Sequence, residues 1–254
     1  MVSFPAAVRL PEPAGTAAKP HQRVSIDGHE RISVEQGACM GFERFAPVER
    51  RIDINGQPLS VWRPPDMEAL IDLVAFDEDE RIPYWADVWE SAIVLAEDIA
   101  TVDGRGLTLL ELGCGLGLPS LAAARAGFAV TATDYESPAL EGVRYNAARN
   151  GLGTITAREL DWRRIPADLG RYDRVVAADV LYESHHPAAL ADVIARTLKP
   201  DGLALVADPC RQKAAGFAPA ARAAGLGIVK QQARRPRGAT DGPAVEIYCV
   251  TFPS

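Results

Sequence analysis

From about residue 107 onward, short apolar runs alternate with longer segments whose apolar residues recur at helical spacing. The runs at 107–112, 129–133, 155–160, 174–178 and 203–207 have the length and composition of buried strands. Between them lie helical segments. Residues 119–126 are Ala-rich and close on Gly127. Ser137-Pro138 reads as an N-cap and first-turn pair, opening a helix that ends near Asn150-Gly151. Leu190, Val193, Ile194 and Leu198 mark a further helix, stopped by Pro200-Asp201-Gly202. Residues 217–224 are Ala-rich again.

Such alternation predicts a parallel sheet covered by helices on both faces. The end of the chain departs from it. Strands at 228–232 and 245–252 are joined by a loop with Pro236, Gly238, Gly242 and Pro243 and no helical pattern. A parallel crossover needs a helix-sized connection, so this pair is expected to be antiparallel. The fold class is therefore α/β: a doubly wound, mostly parallel seven-stranded sheet with an antiparallel C-terminal hairpin. Upstream, Trp89, Ala92, Ile93 and Ala96 predict a helix over 87–100, with Trp85 one turn before Trp89. Alternating stretches on either side of Asn55-Gly56 predict a β-hairpin, ended by Pro64-Pro65. Residues 1–22, rich in Pro and Ala, read as a mobile tail, 23–84 as a small β-rich N-terminal extension, and 85–254 as the main domain.

Charge and cysteine content narrow the function. The net charge of −7 argues against sequence-independent binding to nucleic acid, which relies on Lys and Arg neutralising phosphates. Cys39, Cys114, Cys210 and Cys249 show no C-x-x-C spacing, so neither a metal site nor a disulfide framework is expected. No run approaches the roughly 18 apolar residues of a membrane span, and the N-terminus lacks a continuous apolar signal region. A cytoplasmic protein is the expectation.

Chemistry concentrates where the first strand of the sheet ends, in Glu111-Leu112-Gly113-Cys114-Gly115-Leu116-Gly117. Alternate glycines let a backbone turn sharply and approach a ligand. About one βαβ unit later the second strand ends in Asp134, where a carboxylate can accept hydrogen bonds from both hydroxyls of a ribose. Two cofactors share these features. NAD loops read G-x-G-x-x-G and bind pyrophosphate at a helix N-terminus. Here the spacing is G-x-G-x-G, and Glu111 would repel a pyrophosphate. The positive ammonium and sulfonium of S-adenosyl-L-methionine tolerate that acid. The loop therefore favours S-adenosyl-L-methionine over NAD.

Together, ELGCGLGLPSLAAARAG, ATDYESPALEGVRYNAARNG, ADVLYE and the preceding PYWADVWESAIVLA resemble the seven-β-strand methyltransferases. Within them the chain is most similar to the lysine methyltransferase-like group, methyltransferase family 16, over about residues 48–254. The resemblance implies a Rossmann-like methyltransferase fold and S-adenosyl-L-methionine as cofactor. It implies that Glu111, Gly113, Cys114, Gly115 and Gly117 form the cofactor loop and that Asp134 is the ribose-binding acid. Tyr135 would pack near the adenine, Asp161 and Trp162 would contact it, and Ala178 would line the methionyl pocket. Trp89 and, less closely, Trp85 match aromatic residues over the cofactor. Asp179-Val180-Leu181-Tyr182 matches a D-x-x-Y motif on the substrate side, which makes Asp179 and Tyr182 the candidate catalytic residues. The implied acceptor is a protein lysine. A small-molecule amine is the alternative, followed by a silent cofactor-binding scaffold and an NAD-dependent oxidoreductase.

Some of these residues also have a structural reading beside the functional one, and a few others read as structural outright. Trp85 and Trp89 at helical spacing also suit a core, Asp161 a solvated loop, and Tyr182 a packed strand end. His185 and His186, without a third ligand nearby, read as a solvated helix start. Cys114 reads as a space-filler, and Arg234, Arg235 and Arg237 as a solvated basic loop.

Overall fold

In the computed structural model, which describes residues 41–73, 82–153 and 155–253, the apolar runs become the strands of a seven-stranded sheet. Two earlier strands, β1 (Val48–Ile54) and β2 (Gln57–Arg63), pair antiparallel by themselves. Asn55 and Gly56 between them have φ of 57° and 84°, the positive values that a tight hairpin turn demands. The large sheet comprises β3 (Thr108–Leu112), β4 (Ala129–Asp134), β5 (Ile155–Glu159), β6 (Tyr172–Ala178), β7 (Leu198–Asp208), β8 (Gly227–Arg234) and β9 (Val245–Thr251). Its order is β5-β4-β3-β6-β7-β9-β8. The expected antiparallel pair is present, with β9 antiparallel to both β8 and β7. β9 thus sits between β7 and the edge strand β8, and it alone runs against the rest. The tail read at 1–22, and the extension up to residue 40, lie outside the described residues, as do 74–81 of the acidic stretch.

Helices α1 (Ala69–Leu73), α2 (Glu90–Ile99), α3 (Leu118–Arg125), α4 (Ser137–Arg149), α5 (His186–Thr197) and α6 (Phe217–Ala223) connect and cover the strands. Neighbouring residues of a strand point to opposite faces. Leu110, Val175, Val206 and Tyr248 accordingly join one buried cluster with Leu190, Ile194 and Phe217 of α5 and α6. Leu109, Val176, Leu205 and Ile247 join another with Val94, Leu95 and Ile99 of α2. Burial on both faces explains why these strands read as near-continuous apolar runs. The β1–β2 hairpin docks on α4 through two asparagines. Asn146 Oδ1 accepts from Trp62 N at 2.7 Å, and Asn150 Nδ2 donates to Ser60 O at 2.7 Å.

Three local expectations need correction. Ser137 is the first residue of α4 rather than its cap; Glu136 occupies the cap position, with no side-chain hydrogen bond to the helix. Trp85 and Trp89 do not share a helix. Trp85 belongs to a separate 3-10 turn, Tyr84–Ala86, Asp87 is extended, and Trp89 is the residue before α2. Packing overrides periodicity here, because Trp85 is pulled edge-on against Phe42 and Phe45. Pro200-Asp201-Gly202 follows α5 but lies inside β7. Tyr172 pairs with Leu198 and Arg174 with Leu203, so the segment forms a bulge. Lys199 of the bulge pairs with Asp173 at 2.8 Å.

Candidate active site

The carboxyl ends of β3, β4, β6 and β7 surround a cavity of about 670 Å³, a volume suited to a nucleoside-sized ligand. The loop after β3 forms its floor. Gly113, Gly115 and Gly117 have φ of 68°, 50° and 83°, a left-handed backbone that residues with a Cβ rarely adopt. Space matters as well. A Cβ on Gly113 would lie 2.6 Å from Val180 Cγ1, and one on Gly117 2.8 Å from Val143 Cγ2. Cys114 is buried among Ala132, Leu140 and Val143, as a space-filler should be.

Asp134, at the end of β4, faces this loop. Its Oδ2 accepts from Gly115 N at 2.8 Å and its Oδ1 from Glu136 N at 2.9 Å. Burial pushes its carboxyl up to about 6, although the two N–H groups oppose the rise. An ionised carboxylate has about four acceptor sites, so both oxygens keep capacity for a ligand's hydroxyls. Glu111 also lines the cavity, but it has a structural task that the sequence did not disclose. It is 1% exposed, and its Oε2 accepts from the N–H of Ser120, at 2.9 Å, and from the Ser120 hydroxyl. The acid thereby holds the first turn of α3.

Burial pushes the Glu111 carboxyl up to about 8, against the lowering effect of Ser120. Between its usual value and about 8, the folded chain retains a proton that the unfolded chain has lost. Stability therefore falls as pH rises across that window. Glu111→Gln removes this titration. In urea unfolding, the variant is expected to gain stability relative to the wild type from pH 5 to pH 8.5. A difference between the two proteins that does not change with pH would contradict the assignment.

Asp161 and Trp162 follow β5. Asp161 is held by Arg163, which donates from its backbone N at 2.9 Å and from Nε and Nη2 at 2.9 and 3.0 Å. This guanidinium lowers the Asp161 pKa and also stands 5.8 Å from the ring centre of Tyr135, which is 44% exposed. Trp162 packs edge-on against His186 at 5.7 Å. His185 and His186 do begin α5, and His185 is exposed, but His186 is half-buried. Its Nδ1 lies 2.7 Å from Val180 O, burial lowers its pKa, and its ring meets that of Tyr182 at 4.7 Å. Tyr182 also meets Tyr84 at 5.1 Å, and Trp89 donates from Nε1 to Tyr84 O at 2.9 Å. Tyr84, Trp89, Trp162, Tyr182 and His186 thus build an aromatic wall along the cavity. Trp85 contributes to the lining too, but its ring is largely core.

Ala178 ends β6, and Asp179 follows with φ of 61°. Its N–H donates to Ala207 O of β7 at 2.9 Å, and its side chain is only 8% exposed. Its Oδ1 lies 2.9 Å from Nη1 of Arg211. The Ser91 hydroxyl is near enough to lower the carboxyl's pKa, yet neither it nor Asp179 Oδ2 completes a hydrogen bond, and both are buried. Burial dominates and pushes the Asp179 carboxyl up to about 6. Tyr182, at the cavity mouth, is pushed up to about 12 by burial and by the nearby Asp134 charge. Sequence reasoning missed Asp208 and Arg211. The available signal was an acid at the end of the next apolar run, three residues before an arginine. Among the described residues no group of His, Cys, Asp and Glu could hold a metal ion. No described helix is long and apolar enough to cross a membrane.

Known proteins resemble this chain in sequence and in fold. A model of the lysine methyltransferase family matches residues 72–216. The protein N-lysine methyltransferase METTL21A of Danio rerio is 37% identical over 121 residues, covering 44% of this chain and 55% of that protein. The protein-lysine N-methyltransferase rrg1 of Schizosaccharomyces pombe is 28% identical over 140 residues, 49% of this chain and 46% of the other. A ubiquinone biosynthesis O-methyltransferase of Caulobacter vibrioides is 37% identical over 107 residues, 41% of each. The chain spans about half the length of the curated relatives it matches. Among solved structures, the glycopeptide N-methyltransferase MtfA complexed with sinefungin superposes with a TM-score of 0.55 at 15% identity, covering 66% of this chain and 96% of the other. TrmN from Thermus thermophilus gives 0.54 at 20% identity, over 63% and 49%. These two share the fold. The family match takes in more than half of the sequence, from just before the Trp85 turn to beyond Arg211, and by it the chain belongs to the lysine methyltransferase family.

Proposed function

We propose that this chain is an S-adenosyl-L-methionine-dependent methyltransferase acting on a lysine amine of a protein substrate. The observation that carries the reading is the Asp179 carboxylate. It is buried, lines the same cavity as the glycine loop and Asp134, and keeps acceptor capacity beyond its contacts with Arg211 and the nearby Ser91 hydroxyl. Burying a carboxylate incompletely satisfied is costly, which points to a use. S-adenosyl-L-methionine supplies, when bound, a methyl group activated by its sulfonium. The residues present fit that cofactor: Asp134 for the ribose, the backbone of 113–117 for close approach, and Tyr135, Asp161 and Trp162 on the adenine side. Glu111, Cys114, Ala178 and Trp89 would complete its surroundings.

The protein's part in the chemistry is placement and proton management. Holding the acceptor in line with the methyl group can contribute about 7–11 kcal/mol. A lysine amine has a reference pKa of about 10.4, and its protonated form has no lone pair to attack with. An amine lying against the aromatic wall would lose part of its hydration, and desolvation lowers that pKa. Asp179 would accept a hydrogen bond from the amine and orient its lone pair. Tyr182, beside it, would wall the channel. The similarity to a ubiquinone biosynthesis O-methyltransferase supports a second reading, with a small-molecule acceptor. Free thiols at Cys114 and Cys210 support a cytoplasmic location.

Calorimetric titration with S-adenosyl-L-methionine and with NAD tests the cofactor. Binding of the first and not the second is expected; the reverse would sink the reading. Asp134→Ala is expected to weaken S-adenosyl-L-methionine binding by about 1.5–3 kcal/mol, the worth of hydrogen bonds to a charged group. Unchanged affinity in a folded variant would remove Asp134 from the site.

A further inference from the structure

Two acids and one arginine meet where β6 and β7 end. The strands are adjacent, with Ala178 opposite Ala207. Asp208, fully buried, accepts through Oδ1 from Arg211 N at 2.7 Å, which closes the turn after β7. Its Oδ2 accepts from Arg211 Nη1 at 2.9 Å. The same Nη1 reaches Asp179 Oδ1 at 2.9 Å. Two non-glycine residues with left-handed backbone flank this bridge: Asp179 and Cys210, each with φ of 61°. Such conformations persist where the surroundings over-determine them.

We propose that Arg211, held by Asp208, is a positioning residue of the methyl-transfer site that fixes the Asp179 carboxylate against the acceptor amine. This rests on the methyltransferase reading. The fold does not need the second contact. Asp179 and Ala207 are already joined through their backbones at 2.9 Å, and Asp208 alone satisfies the turn. What the second contact adds is a fixed carboxylate in the cavity wall, which Arg211 also lines. Two carboxylates against one guanidinium leave one negative charge in excess, a net charge that attracts an amine rather than an anion. Both acids meet the one Nη1, so a lysine ammonium could keep the charge but, on a more flexible stem and without the rigid guanidinium, should hold the two carboxylates only in part.

The charged groups facing Asp179 are Arg211 and Asp208 from the end of β7, with the Ser91 hydroxyl from α2. Glu111, Asp134, Asp87, Tyr182, Glu183 and His186 line the rest of the cavity. An opposite charge in contact lowers a carboxyl pKa by about 1–3 units. Arg211→Met should therefore raise that of Asp179 by about one unit or more.

The test is a pH titration of the full-length protein labelled with 13Cγ-aspartate, the Asp179 signal being assigned by its loss in Asp179→Asn. Wild type, Arg211→Met and Arg211→Lys are compared. In parallel, S-adenosyl-L-methionine affinity and transfer of its labelled methyl into cell-extract proteins are measured. The expected result is a raised Asp179 titration in Arg211→Met and a smaller rise in Arg211→Lys. Methyl transfer should fall about 10- to 100-fold in Arg211→Met, with cofactor affinity largely kept. If Arg211→Met does not fold, Arg211→Lys decides by the same two readouts. An unmoved Asp179 titration, or transfer that falls only in step with stability, overturns the role of Arg211. A wild type that binds no S-adenosyl-L-methionine and labels nothing overturns the methyltransferase reading instead, and the titration then reports on Arg211 separately.

Discussion

Asp179→Asn is expected to keep S-adenosyl-L-methionine affinity within a few fold and to lower methyl transfer by about 100-fold or more, the scale of a lost proton-handling group. The amide is nearly isosteric with the carboxylate, so the turn at φ 61° and the N–H bond to Ala207 O should survive. It carries no charge to hold an amine, and half of it is a donor. An interaction made mainly in the transition state appears as lost turnover rather than lost binding. In the wild type, the rate should fall with acid as Asp179 protonates, on a limb near pH 6. That limb should disappear in the variant. Single-turnover rates and calorimetry on the same preparation separate the two effects, and near-normal transfer would remove Asp179 from the mechanism.

Arg234→Met should unfold the protein more easily by about 3 kcal/mol, the lower part of the range for breaking a buried ion pair. Arg234 pairs with Glu97 at 2.5 Å and with Asp98 at 2.6 Å, and donates to Val94 O at 2.8 Å. Glu97 is 2% exposed and also accepts from Arg237 N at 2.8 Å. Burial already raises the Asp98 pKa, with Arg234 opposing it. Without the arginine, both acids would be left with little compensation for burial. The lower end of the range applies because the Arg234 side chain is 24% exposed. A thermal midpoint lower by about 6–12 °C is expected for a chain of this size. The sign of the pH effect follows from Asp98, whose pKa burial raises and Arg234 opposes: without the arginine the deficit should shrink from pH 8 to pH 5, as Asp98 takes up a proton. A midpoint within about 1 °C of the wild type would mean that the arginine is solvated after all.

The basic spot at 234–237 illustrates what a sequence leaves open. A run of arginines looks solvated because its partners, Glu97 and Asp98, lie far away in the chain on α2. The same reason hid Arg211 in part: Asp208 is three residues away, but Asp179, just after β6, is distant in the chain. Features written by short-range rules were legible: buried strands as apolar runs, the hairpin at Asn55-Gly56, and the antiparallel end from its helix-free connection. That β9 would also pair with β7 was not, because nothing local distinguishes an inner strand from an edge strand there. Of the candidate site, the residues that close the cavity came from motifs at strand ends, since the topology puts the carboxyl ends of the parallel strands on one side. Periodicity misled at Trp85, where two aromatic rings, Phe42 and Phe45, hold the side chain in the core in a separate turn ahead of the helix. The acid at Glu111 was read for its charge, whereas the structure shows it holding Ser120 at the start of α3.

The most direct measurement is transfer of a labelled methyl group from S-adenosyl-L-methionine, catalysed by the full chain, into a cell extract divided into protein and small-molecule fractions. Label on the side-chain nitrogen of a lysine, located by mass spectrometry of the protein fraction and abolished in Asp179→Asn, is the expected result. Label confined to the small-molecule fraction, or to protein atoms other than a lysine nitrogen, would contradict it.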